Sequence, residues 1–280
     1  MISEIRRQFP NLTNINPVRI SGGQKEVFQA VLNGEDVALK LVKVYASDQI
    51  RTEREIAAVT KLNSDYVPKI YQTGRCVILS EDRYFIIEQY IHGKTFREIL
   101  QVKPIQGLND VLFLADQLLR ACSDFEAVQL VHRDIKPENL IISPDGRAWI
   151  IDFGFARHLD LSSVTPNGPL GVGTPGYAAP EQFRNLKPQI SIKADFFSIG
   201  VVLYEALKGF NPYLVPPRNI LEILRNMEQQ DLPRLSILGD NEGLFSEFIG
   251  ALSQRFPSRR PQNSAEALDW FAPIHRKLIR

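Results

Sequence analysis

Cysteine is nearly absent from this chain: Cys76 and Cys122 are the only two among 280 residues. No C-x-x-C pair or ligand cluster surrounds them, which argues against a disulfide framework or a thiolate metal site; Cys122 falls in an apolar helical pattern and reads as a buried thiol. No run approaches the roughly 18 apolar residues that a membrane span needs. The first seven residues, Met1 to Arg7, lack the apolar core of a signal peptide. The expectation is therefore a cytoplasmic protein with no membrane segment. An excess of charge is missing too, since 33 Lys and Arg face 32 Asp and Glu for a formal net charge of +1. That balance argues against nucleic acid as a partner. The short basic ending at 275–280 reads as a solvated tail. There is no repeat and no low-complexity stretch. With 44% hydrophobic and 23% charged residues, the composition is that of an ordinary globular protein long enough to bury a core.

The sequence changes character along its length. Residues 27–31 and 37–44 are β-rich runs parted by the turn signal Asn33-Gly34-Glu35-Asp36. At 47–62 the apolar residues Ile50, Ile56, Val59 and Leu62 recur with a helical period. Residues 77–79 and 84–87 read as a second strand pair turning at Glu81-Asp82-Arg83. After Gly93 helices dominate: 108–130 carries a sustained 3.6-residue pattern, and 194–207 is apolar on most sides, as a core helix is. Between them, short strands at 140–142 and 148–151 flank Pro144-Asp145-Gly146. The aperiodic stretch 155–178 is long enough that a functional loop is expected. The predicted fold class is α+β, with a small β-rich part, a join near 88–93 and a larger helical part. A cleft between two such parts is where a ligand binds.

The most specific string is His132-Arg133-Asp134-Ile135-Lys136-Pro137-Glu138-Asn139. Asp134 is suited to orient a hydroxyl nucleophile, and Asn139 offers an amide oxygen to a hard cation. A lone Asp here would be read as a helix cap; the whole string makes that reading improbable. Asp152-Phe153-Gly154 follows behind the apolar run Trp149-Ile150-Ile151. Upstream lies Val37-Ala38-Leu39-Lys40, where a buried lysine needs a counter-charge. Downstream lies Gly173-Thr174-Pro175-Gly176-Tyr177-Ala178-Ala179-Pro180-Glu181. In this order and spacing the motifs resemble those of eukaryotic-type (Hanks-type) protein kinases of the serine/threonine class, of a bacterial kind, over about residues 20–270.

The resemblance implies a protein-kinase-like bilobal fold in one domain, 1–280. The N-lobe would span about 1–88, the hinge about 89–93 and the mainly α-helical C-lobe about 94–280. It implies ATP with Mg2+, or Mn2+, as cofactors and protein Ser/Thr hydroxyls as substrates. Asp134, Lys136, Asn139 and Thr174 take the catalytic roles, Thr174 bonding Asp134 and Lys136. Asn139 and Asp152 hold the metal. Lys40 holds the α- and β-phosphates with Glu55 as its partner, Glu53 being the alternative. Glu181 pairs with Arg260, or failing that Arg259, and Asp195 braces the catalytic loop. Arg133 implies activation by phosphorylation of Ser162, Ser163 or Thr165, expected to be autophosphorylation. No sensor domain is present, so a regulatory partner or flanking domain is expected.

Two places depart from the family pattern. The nucleotide loop should read G-x-G-x-x-G-x-V, yet here it is Ile20-Ser21-Gly22-Gly23-Gln24-Lys25-Glu26-Val27. Gly22 and Gly23 let the backbone approach phosphates. Lys25 replaces the last glycine. It is either a phosphate contact or a solvent-exposed loop lysine, and the second reading is preferred. At the join, Glu88 takes the usually apolar gatekeeper position, with Gln89, Tyr90 and Ile91 as the adenine-binding hinge; a register slipped by one would make Ile87 the gatekeeper. A carboxylate there would narrow the pocket and pair with a nearby cation. Ile20, Val27 and Ala38 would enclose the base. Two rival readings are a pseudokinase acting as an interaction module, suggested by the eroded loop alone, and a small-molecule phosphotransferase of related fold. The latter class lacks the Ala-Pro-Glu segment and the lysine two after the aspartate.

Overall fold

Strand parity organises the first part of the chain. The computed structural model describes residues 1–21, 25–43, 59–153, 173–186, 189–216 and 219–279. Helix α1 (Ile2–Gln8) leads into strands β1 (Leu12–Ser21), β2 (Lys25–Leu32), β3 (Glu35–Lys43), β4 (Ile70–Ile78) and β5 (Glu81–Gln89). These form an antiparallel sheet in the order β1-β2-β3-β5-β4. Side chains alternate between the two faces of a strand. One face carries Phe28, Ala30, Leu39, Leu41, Phe85 and Ile87, packed with Ile5 of α1 and with Phe9. Phe9 meets Phe85 edge-on at 4.9 Å between ring centroids. By the same parity Lys25 and Val27 of β2, Ala38 and Lys40 of β3, and Ile86 and Glu88 of β5 share the opposite face, toward the helical part. Pro17 is accommodated because β1 is an edge strand with register shifts beside it.

The turns differ in part from the sequence reading. Asn33-Gly34 is a two-residue hairpin with φ of 52° and 87°, the positive values that this tight turn demands. The β4–β5 turn falls at Leu79-Ser80, φ 53° and 61°, rather than at 81–83. The charges read as a turn are strand residues with partners: Glu81 accepts from Lys43 and Arg83, both at 2.9 Å, and buried Arg83 also pairs with Glu26. Helix α1 was not anticipated. Most of the helix expected at 47–62 lies outside the described residues.

The second part holds β6 (Lys94–Thr95), α2 (Phe96–Val102), α3 (Leu108–Ala127), β7 (Leu140–Ile142), β8 (Ala148–Ile150) and α4 (Pro180–Phe183). Among the described residues, four α-helices follow: α5 (Ile192–Lys208), α6 (Ile220–Gln229), α7 (Leu244–Leu252) and α8 (Ser264–Leu278). β6, β7 and β8 make a small antiparallel sheet. Helix α5 is buried along nearly its whole length, as its apolar circumference predicts, and is surrounded by the largest apolar cluster. At Gly200 a Cβ would stand 2.9 Å from that of Ser253, so the close approach of α5 to the end of α7 needs glycine. The fold is α+β, a sheet-built N-lobe on a helical C-lobe.

Candidate active site

The catalytic string is bound from below by α5. Buried Asp195 accepts the backbone N–H of His132 at Oδ2 and of Arg133 at Oδ1, both at 2.8 Å. Burial pushes its carboxyl up to about 7 against those two bonds. His132 is sealed between Phe125 and Phe153, with ring centroids 6.2 and 4.6 Å away. Its Nδ1 accepts the Asp134 N–H at 3.2 Å, which leaves Nε2 to donate to the Ile151 carbonyl at 3.1 Å. Burial lowers this imidazole to about 4, so it is neutral at ordinary pH. Arg133 and Asp152 have φ of 67° and 64°, a left-handed conformation costly for residues with a Cβ and held here by these contacts.

On that platform Asp134 Oδ1 accepts the Thr174 hydroxyl at 2.6 Å, and Oδ2 accepts Asn139 Nδ2 at 2.8 Å. Lys136 Nζ donates to Thr174 Oγ1 at 2.9 Å and stands 3.1 Å from Asp134 Oδ2. The amide of Asn139 also bonds the Asp134 carbonyl. Its side-chain oxygen accepts no hydrogen bond among the described residues. The Ile151 N–H bonds the Asn139 carbonyl at 2.9 Å, which puts Asp152 beside Asn139. The structure therefore brings Asp134, Lys136, Asn139, Thr174 and Asp152 together.

Across the cleft, Lys40 Nζ lies 2.5 Å from Glu88 Oε1 and 2.8 Å from Asp152 Oδ1. Lys25 pairs with the same Asp152 oxygen. Burial works against Asp152's charge, but the Lys25 and Lys40 ammoniums hold its carboxyl well below the usual range. Lys40 is likewise raised above its ordinary value despite burial, by Asp152 and Glu88. Burial prevails on the outer two members, raising Glu88 and lowering Lys25. The preferred reading of Lys25 as a solvent-exposed loop lysine is thus corrected. It is the first residue of β2, on the cleft face with Val27, and its side chain is only 15% exposed. Glu88 meets the cation foreseen for a gatekeeper carboxylate, and that cation is Lys40. Glu55, Glu53, Gly22, Gly23, Ser162, Ser163 and Thr165 lie outside the described residues, as does the side chain of Ile20.

A cavity of about 480 Å3 separates the two walls. Val27, Ala38, Lys40, Glu88, Gln89, Tyr90, Ile91 and Asp152 line it, all singled out from sequence. Val18, Pro68, Ile141 and Ile151 line it too and were missed, although Ile141 was findable two residues after Asn139 on a predicted strand. At the join the Gln89 N–H is used by Lys69 O and the Tyr90 N–H by Asp36 O. The Ile91 N–H has no partner among the described residues and can serve a ligand.

The floor beyond Thr174 is tied to the core. Asn211 donates to the Gly176 carbonyl and Ser198 to the Tyr177 carbonyl, each at 3.0 Å. Glu181 forms a buried two-pronged pair with Arg260 at 2.6 and 3.0 Å, and the guanidinium lies 5.0 Å from the Phe197 ring centre. Arg97 was missed. From α2 it donates to Glu138, to Glu205 of α5 and to the Tyr177 hydroxyl at 2.6–2.7 Å. Only the fold brings these four residues together.

The protein kinase domain model matches residues 21–269. The chain belongs to the protein kinase family. It is 32% identical over 250 residues to serine/threonine-protein kinase PknL of Mycobacterium bovis, covering 86% of this chain and 60% of that one. It is 35% identical over 204 residues to a probable serine/threonine-protein kinase PknB of Bifidobacterium longum, covering 69% and 29%. Against serine/threonine-protein kinase PknA of Mycobacterium tuberculosis, identity is 34% over 200 residues, covering 69% and 46%. The chain thus spans between about three tenths and three fifths of the length of these relatives. Bacterial serine/threonine kinases are its kin. No helix among the described residues is long and apolar enough to cross a membrane.

Proposed function

We propose that this kinase domain transfers the γ-phosphoryl group of ATP to serine and threonine hydroxyls of proteins. The observation that carries the reading is the Thr174 hydroxyl held between Asp134 and Lys136. This leaves Asp134 oriented to accept the hydrogen bond of an incoming hydroxyl. Lys136 stands beside it to balance phosphoryl charge, as positioning and charge balance dominate this reaction. ATP with Mg2+ supplies the transferable phosphoryl group and the neutralising cation. One carboxylate at Asp152 and one amide oxygen at Asn139 fit Mg2+, which takes one or two protein oxygens and completes its shell with phosphate and water. Lys40 is the cation for the phosphates, Lys25 holds Asp152 beside it, and the Ile91 N–H is a donor for the base. The substrate oxygen takes the phosphoryl group and gives its proton to the Asp134 carboxylate, the bond from the γ-phosphorus to the bridging oxygen of the β-phosphate breaks, and ADP leaves.

Radiolabelled ATP and generic protein substrates, followed by phosphoamino-acid analysis, test this reading. Label on serine and threonine is expected, lowered about 10²–10⁴-fold in Asp134→Asn. Label on tyrosine alone, or none on protein, would sink it. We further place the domain in the cytoplasm, where ATP is held and where its two buried, free thiols stay reduced. Autophosphorylation at Ser162, Ser163 or Thr165, with Arg133 receiving the phosphate, follows from the same motif; an intact mass unchanged after incubation with Mg·ATP would exclude it. Because the relatives are longer, regulation is assigned to a partner or a flanking domain.

A further inference from the structure

The two departures from the family pattern, Lys25 in the nucleotide loop and Glu88 at the gatekeeper, end the same row of charges. The row runs Lys25, Asp152, Lys40, Glu88, alternating in sign from β2 through the C-lobe to β3 and β5. All four side chains are at most 20% exposed. The register accounts for the meeting: Glu88 pairs with Ala38 and Val27 pairs with Lys40, so both end residues lie diagonal to Lys40 on the cleft face.

We propose that Lys25 and Glu88 are a charge-compensating pair, each tolerated in the cleft because the other is present. Among the described residues, those the family pattern places at this point are one lysine, Lys40, and one aspartate, Asp152. Glu88 adds a further carboxylate that competes for Lys40, and by itself makes the described cluster one charge more negative. Lys25 gives Asp152 a second cation and offsets that added charge. Removing either end strands a buried charge, which is strongly unfavourable. Removing both leaves the Lys40–Asp152 pair intact. The two residues are positioning residues, acting through Lys40 and Asp152 on the phosphate-binding geometry. The effect on nucleotide rests on the cleft being the ATP site; the compensation itself does not.

A double-mutant cycle of Lys25→Met and Glu88→Leu tests this, reading Tm without nucleotide and the Kd for Mg·ADP by calorimetry. Each single variant is expected to lower Tm and to weaken Mg·ADP binding by roughly tenfold. The double variant should melt above both singles and bind within about threefold of the unaltered domain. Losses that multiply, or a double variant that melts below both singles, overturn the proposal. If a single variant does not fold, Lys25→Gln and Glu88→Gln give the same cycle with the stems retained. Unaltered protein that binds no Mg·ADP refutes the nucleotide reading, while the Tm cycle still decides the compensation.

Discussion

The two walls of the cleft are built on different principles. The C-lobe wall is a hydrogen-bonded network of short sequence span, in which Asp134, Lys136 and Asn139 come from one string and need only Thr174 and the Asp195 brace from elsewhere. The N-lobe wall is a row of ion pairs whose members come from β2, β3, β5 and the residues after β8, with nothing but sheet register and lobe packing to align them. A network of directed hydrogen bonds tolerates little substitution, since a lost partner strands a buried polar group. A row of charges is less particular about direction, so one cation can replace a glycine if another charge answers it. This is a physical reason for the family pattern to be kept on one wall and rewritten on the other.

Breaking the buttress of the C-lobe wall gives the largest expected stability effect. Arg260→Met leaves Glu181 buried without its partner and should cost about 3–5 kcal/mol, seen as a Tm lowered by roughly 10 °C; a change under about 1 kcal/mol would remove the pair from the fold's support. Acid should weaken this wall next. His132 titrates near 4 in the folded chain against an ordinary 6.5. The unfolded chain therefore binds more protons between these values, and stability falls as pH drops through that window. About 3 kcal/mol is at stake. Asp195, raised to about 7, works in the opposite direction over roughly pH 4–7, and Asp134, Asp152 and Lys136 also face the imidazole. Urea unfolding of His132→Phe beside the unaltered protein isolates the histidine. The variant should be less stable at pH 7 but lose less on going to pH 4.5, and parallel curves would exclude the assignment.

On the N-lobe wall, Lys25→Ala should raise the KM for ATP by about tenfold, because Asp152 loses its second cation and Lys40 is left between two carboxylates, off the phosphate-binding geometry. Steady-state kinetics showing an unchanged KM would return Lys25 to a bystander. The smallest effect belongs to the outer face of the sheet. Glu4 of α1 accepts the Leu79 N–H of the β4–β5 turn at 3.0 Å. Glu4→Ala should cost about 1 kcal/mol in urea unfolding, with nucleotide affinity unchanged; a shift in affinity would mean that α1 communicates with the cleft.

Contiguous residues were the ones legible in advance. The catalytic string, the Asp152 triplet and the Thr174 segment declare their chemistry because spacing along the chain already constrains which side chains can meet. The buried α5 and the hairpin at Asn33-Gly34 were legible for a similar local reason, periodicity and a turn that demands positive φ. Helix α1 was not, being only seven residues with a single buried position at Ile5. Glu81 and Arg83 misled, because charges that pair across a sheet look like a turn when their partners are not in view. Parity could have placed Lys25 on the face of Val27, two residues on, yet parity names a face and not a partner. Which anion Lys25 would meet, which carboxylate would answer Lys40, and that Arg97 would gather Glu138, Tyr177 and Glu205 depended on the packing of elements as many as 108 residues apart. Motif chemistry is local and survives in the linear chain. Charge compensation in a buried cleft depends on three-dimensional proximity and low dielectric, and neither exists until the lobes close around it.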